Sequence, residues 1–226
     1  MPQVDIKKQF GDRIEAIWKE IRLQNQKLEA IKALGYALPQ TIQKNAVLFI
    51  GTNPSFNKGD KPGSKYYPLE SNEHPYFTRF RTLSEGTGLP WAHLDLLFVR
   101  ETSQKAIVSF LKDARGKAFL MRQFALSKEM LVRARPSIVM VSNTLARDLL
   151  CGGDEKLLGA EDSPFEFAFD DALGTRKIVN HPTLANTPVF FTSMLTGQRA
   201  LDKGSFERLI WHCKYVHNKI SGRVTA

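Results

Sequence analysis

Apolar positions along this chain switch between two periods, and the switch divides it into elements. Phe10, Ile14, Ile17, Ile21, Leu28 and Ile31 recur at intervals of three, four or their sums. That spacing predicts one long amphipathic helix over about residues 5–34, ended by Gly35 and Pro39. Short continuous apolar runs follow: AVLFI at 46–50, LDLLFV at 94–99, IVMV at 138–141 and VFFTS at 189–193. Runs of this length next to turn residues predict strands buried on both faces of a parallel sheet. Helical spacing returns between them. Phe77, Phe80 and Leu83 predict a helix that ends near Gly86 and Gly88, and 107–131 predicts a single helix with Phe110, Leu111, Phe119, Phe124 and Leu131 inward. Residues 144–150 form a third segment, capped by Asn143 and closed by Gly152 and Gly153, and 205–216 a closing helix. Residues 165–169 and 176–179 flank Gly174 as a small hairpin.

Buried strands alternating with helices predict a three-layer α/β/α fold around a central, mostly parallel four-stranded sheet, with the N-terminal helix added to it. Ligands bind such sheets beyond the carboxyl ends of the strands. The loops after Ile50, Val99, Val141 and Ser193 are therefore expected to share one face. The first contains Gly51, Thr52, Asn53, Pro54 and Ser55 and continues to residue 75, rich in Gly, Pro, Lys and Asn and without periodicity. A loop that long inside a compact domain is usually functional. We expect one domain over 1–226, with 1–40 as a helical extension and 46–212 as the core.

Composition narrows the partner. A formal net charge of +9 and an isoelectric point near 9.6 favour a polyanion, because clustered Lys and Arg attract phosphate backbones. Cys151 and Cys213 stand far apart with no Cys or His at ligand spacing, which argues against a disulfide framework, a zinc site or an iron–sulfur cluster. No metal or cofactor is expected. No run approaches a membrane span and no signal segment opens the chain, so a soluble, cytoplasmic monomer is the expectation.

The strand-end loops resemble motifs of the uracil-DNA glycosylase superfamily. VLFIGTNPSFNKGD is similar to the strand and G-x-N-P segment of its mismatch-specific and single-strand-selective branches, which puts Asn53 where the family orients the attacking water. That family also places an aromatic residue three after a Gly, to stack on the extruded base; Gly63, Ser64, Lys65 and Tyr66 fit, with Tyr67 as the neighbouring alternative. HLDLLFV resembles the strand whose Asn reads the base edge, but carries Asp95 in its place. The pattern breaks after the last strand. Where the family has His-Pro-Ser or Asn-Pro-Ser, this chain has Met194, Leu195 and Thr196, followed by Gln198 at the wedge position and by Arg199 and Lys203 as phosphate contacts.

The resemblance implies a uracil-DNA glycosylase-like fold and a hydrolase of base excision repair that removes uracil or another altered base from DNA. Breaking an N-glycosidic bond takes an extruded base, a held water and donors for the departing base. Asn53 would hold the water by its amide oxygen, Tyr66 would stack, and Asp95 would read the base. Ionised Asp95 only accepts hydrogen bonds and suits a donor-rich base, whereas a protonated Asp95 imitates Asn. Plainer roles remain open at this point. Gly51 and Pro54 also suit an ordinary turn, Tyr66 and Tyr67 could cover the loop's own core, and Asp95 could cap a helix or pair with Arg100. His181 opens a His-Pro-Thr that imitates the missing motif but precedes the last strand, so a turn is its expected role. Losing the histidine motif leaves a second reading, a nucleic-acid or nucleobase binder on the same fold that breaks no bond. A third is a pocket for a nucleotide-like small molecule.

Overall fold

The computed structural model describes residues 2–20, 26–69, 74–152, 165–197 and 200–222. The chain begins with β1 (Gln3–Asp5), α1 (Ile6–Glu20), α2 (Gln26–Ala33), β2 (Ala37–Pro39) and β3 (Thr41–Gln43). It continues through β4 (Val47–Gly51), β5 (Lys65–Tyr67), a 3-10 turn (Pro75–Phe77), α3 (Thr78–Thr87), β6 (Trp91–Asp95), α4 (Gln104–Lys112) and α5 (Ala114–Ala134). The rest is β7 (Ile138–Val141), α6 (Thr144–Cys151), β8 (Phe167–Asp170), β9 (Thr175–Ile178), β10 (Pro188–Phe191) and α7 (Lys203–Ile220).

The fold is α/β, around a mixed sheet with strand order β6-β4-β7-β10-β9-β8. β6, β4, β7 and β10 run parallel, while β9 and β8 add an antiparallel hairpin beyond β10. Six strands therefore replace the four expected. The hairpin is where Gly174 puts it, with φ at +66°, but its docking depends on long-range pairing. Its pairing gives β10 a neighbour on the side away from β7, so the edge of the parallel set is not left open, and Thr175 Oγ1 donates to the Val189 carbonyl at 2.8 Å. Helices cover both sheet faces. Leu48 and Ile50 of β4 join a core with α1, α2, α4, α5 and α6, and Val47 and Phe49 join a second one with α3 and α7. Phe49 stacks on Phe80 with ring centroids 4.1 Å apart.

Three other elements differ from the sequence pattern, each for a local reason. The predicted helix over 5–34 is two helices, and Ile21 lies outside the described residues. The helix over 107–131 is also two. Asp113 is extended (φ −91°, ψ 129°) and caps α5 by accepting from Gly116 N at 2.8 Å. Apolar spacing hides this break because both helices face one core. The strand expected at 94–99 runs instead from Trp91 to Asp95, and 96–99 are buried off the ladder. There Leu96 N and Leu97 N donate to the Gly51 and Thr52 carbonyls at 3.0 and 2.8 Å, and Phe98 N and Val99 N donate to Gln123 Oε1. Asp95 thereby ends the strand instead of sitting in its middle.

The N-terminal segment is tied into this core. β1 pairs with β3 and β2 pairs with β5. Trp18 of α1 meets Tyr36 and Phe119 edge-on at 5.0 and 5.1 Å, and Tyr36 donates its hydroxyl to Glu15. Arg100 fixes the long loop to that segment. Only 2 % exposed, it donates through Nη1 to the carbonyls of Lys61 (2.9 Å), Gly63 (3.1 Å) and Leu34 (3.3 Å), and through Nη2 to Asp60 Oδ2 at 3.1 Å. Its guanidinium lies over Phe56, 4.7 Å from the ring centroid. The Arg100 partner is therefore Asp60, not Asp95. A side chain on Gly35 would collide with the Gly63 backbone, so the close seat of loop on helix end requires glycine there. Arg100→Met, which strips several buried acceptors of their donor, is expected to lower unfolding stability by about 3 kcal/mol in urea titration. An unchanged midpoint would remove Arg100 from this anchoring role.

Candidate functional site

At the carboxyl ends of the parallel strands the structure opens a cavity of about 510 Å³. Gly51, Thr52, Asn53, Pro54 and Ser55 form one wall, and His93 and Asp95 of β6 line it beside them. Tyr67 of β5, Tyr76 and Phe77 form an aromatic side. Ser142 and Asn143 after β7 and Met194, Leu195 and Thr196 after β10 complete the ring. The four strand-end loops thus share one face, and the volume lies in the range of small-molecule sites.

Gly51 and Asp95 are paired residues at the ends of β4 and β6. A Cβ on Gly51 would run into Asp95 Oδ1 and come within 3.2 Å of His93 Nε2, so the glycine makes room for both polar groups. His93 Nε2 and Asp95 Oδ1 stand 3.7 Å apart, too far for a hydrogen bond. Tyr67 Oη lies 3.4 Å from His93 Nδ1, and the rings of Phe77, Phe80 and Tyr76 surround the imidazole at 5.4–5.9 Å. Burial sets both charges. It pushes Asp95 up to about 7 and His93 down to about 3, so His93 is neutral at physiological pH while Asp95 is poised between two states.

The Asn53 side chain is held by its nitrogen. Nδ2 donates to the carbonyls of Glu101 (2.6 Å), Pro54 (3.1 Å) and Val99 (3.3 Å), which leaves Oδ1 as its only group for a ligand or water. Thr52 Oγ1 donates to Asn143 Oδ1 at 2.7 Å, and the same oxygen caps α6 by accepting from Leu145 N and Ala146 N. The Asn143 amide nitrogen is thereby available as a donor at the cavity.

Tyr66 lies outside the cavity. In β5, Tyr66 and Tyr67 point to opposite sides of the strand. The β2 pairing sends Tyr66 inward against Tyr36, centroids 5.7 Å apart, and turns Tyr67 to the cavity. Met194 and Thr196 reach the lining. Lys203 opens α7 with an exposed side chain 3.9 Å from Glu207, and Gln198 and Arg199 lie outside the described residues. His181 sits against Phe165 at 5.9 Å, accepts from Thr183 N and is not part of the lining. Both cysteines are free, and burial pushes Cys213 up to about 12, an unreactive thiol. Among the described residues no group of three or more His, Cys, Asp or Glu is placed to hold a metal, and no helix is long and apolar enough to cross a membrane.

Sequence reasoning missed His93, Tyr76, Phe77 and Asn143 as lining residues. His93 carried a usable signal, because residues two apart on a strand share a face and His93 precedes Asp95 by two. No protein-family model matches the chain, and no curated protein matches it in sequence.

Two outcomes follow from the buried pair. Asp95 has a folded-state pKa above its ordinary value, so its contribution is fully present at low pH and is lost as pH rises through about 7. His93, lowered to about 3, works in the opposite sense, destabilising the fold as pH falls below its ordinary range. The two offset each other between about pH 4 and 6.5, the ordinary values of the two groups. Asp95→Asn removes only the first, so its melting temperature should climb relative to the parent from pH 4 to 7, read by calorimetry; a constant difference would mean Asp95 ionises freely. Gly51→Ala should displace the Asp95 carboxyl and abolish ligand binding at the cavity while the protein still folds, checked by circular dichroism alongside binding.

Proposed function

We propose that this protein is a DNA glycosylase-like enzyme that takes an extruded, altered base into the strand-end cavity and hydrolyses its N-glycosidic bond. The observation that carries the reading is the tethered Asn53, whose amide nitrogen is spent on three backbone carbonyls and whose oxygen is left to hold a water. An amide does not protonate near neutral pH, so the group acts by position and not as a base of useful strength. Slow turnover follows.

The rest of the lining supports a base in the cavity and its phosphates outside. Tyr67 and Tyr76 provide aromatic surface for stacking, and Lys65 is the one Lys or Arg in the lining among the described residues. A phosphate finds little positive charge there, which disfavours a whole nucleotide as the occupant. A net charge of +9 leaves ample cation elsewhere for a nucleic-acid backbone.

A second reading has its own observation. Met194 and Leu195 stand in the wall where a donor to the departing base would be wanted, so the cavity also suits a protein that binds an altered base without releasing it. Single-turnover release from single- and double-stranded oligonucleotides carrying uracil, hypoxanthine, xanthine or a thymine mismatch separates the two. The enzyme reading expects release that falls about 100-fold or more in Asn53→Ala, with DNA affinity nearly unchanged and steeply dependent on salt. Salt-sensitive binding with no release from any oligonucleotide would leave the binding reading. Salt-insensitive binding would remove both.

A further inference from the structure

His93 is a polar side chain in an apolar place, and its hydrogen-bonding is half complete. It is 3 % exposed, caged by aromatic rings, and its Nε2 is buried with no hydrogen-bond partner. The partner of Nδ1 decides its tautomer. The Tyr67 hydroxyl lies 3.4 Å from Nδ1 and has no other side-chain or backbone acceptor among the described residues; with Tyr67 as the donor, the imidazole proton sits on Nε2. In that tautomer Nε2 is an unmet donor, and an unmet buried donor is costly unless something completes it.

Asp95 stands beside it in the complementary condition. Its carboxyl makes no side-chain hydrogen bond among the described residues, and Oδ1 lies 3.7 Å from Nε2. A fixed donor and an acceptor thus sit side by side at the inner end of the cavity, over the missing side chain of Gly51. Two slightly splayed hydrogen bonds from adjacent atoms of one ring span that spacing.

We infer that His93 and Asp95 together read the edge of a lactam, His93 Nε2–H donating to the ring carbonyl and the Asp95 carboxylate accepting from the neighbouring ring N–H. Two side chains thereby present the donor and acceptor that a single amide would. The assignment deepens the nucleobase reading of the cavity and rests on it. His93 is a specificity-determining residue on this assignment, and Tyr67 positions it by holding the tautomer.

Equilibrium dialysis of the full chain at pH 8, where Asp95 is mostly ionised, against 1-methyluracil and 1,3-dimethyluracil tests this without requiring catalysis. 1-Methyluracil should be retained, and 1,3-dimethyluracil, which has no ring N–H, should bind at least about tenfold more weakly. His93→Phe should weaken 1-methyluracil about tenfold and shrink the discrimination, and His93→Gln, which restores a donor, should recover part of it. Equal binding of the two by the parent protein would overturn the inference, as would retention of neither or unchanged 1-methyluracil binding by a folded His93→Phe. The parent comparison decides even if a variant does not fold. Lactam selectivity without base release from DNA would keep this assignment and reject the hydrolytic reading; base release without selectivity would do the reverse.

Discussion

A buried guanidinium holds this molecule's working face together. Arg100 joins the end of α2, the tip of the long loop and the segment that leaves β6, three stretches that are distant in sequence. Its charge is met by Asp60 and an aromatic face, so the desolvation cost of burying it is offset by contacts that only this loop conformation provides. With the loop seated, β5 can pair with β2, and that register decides which of two adjacent tyrosines sees the cavity. The wall that carries Asn53 is fixed from the same side, since Val99 and Glu101, which flank Arg100, supply carbonyls to its amide.

Low dielectric dominates the chemistry inside. Each titratable group in the β6 wall is driven toward neutrality by burial, and neither finds a strong counter-charge. A site arranged in this way is suited to reading hydrogen-bond pattern more than charge, which fits the scarcity of Lys and Arg in its lining. The cationic character of the chain lies outside that lining.

Much of the scaffold was legible because its signals are local. The apolar runs at 46–50 and 138–141 correspond to β4 and β7 within a residue, and Asn143 caps α6 as its position before Thr144 predicted. What escaped depends on pairs of distant residues. Nothing local tells where β6 leaves the ladder, since 96–99 are as buried off the sheet as they would be on it. The choice of Tyr67 over Tyr66 needs the β2 register, and the docking of the β8–β9 hairpin needs β10. Of the site, the Gly51 to Ser55 wall and Asp95 could be found from a motif. Tyr67 was legible beside Tyr66, and His93 had a signal only in its place two before Asp95 on one strand; Tyr76 and Phe77 could not be found, because such aromatic residues look the same whether they fill a core or face a ligand.

The attachment of α1 to α5 carries a consequence for biosynthesis. Arg13 reaches Glu129 and Gln9 reaches Arg133 across more than a hundred residues, so α1 cannot complete its packing until α5 has been made. The cavity is completed later still, because Met194, Leu195 and Thr196 of its wall follow β10, although nearly half of its lining is encoded by residue 67.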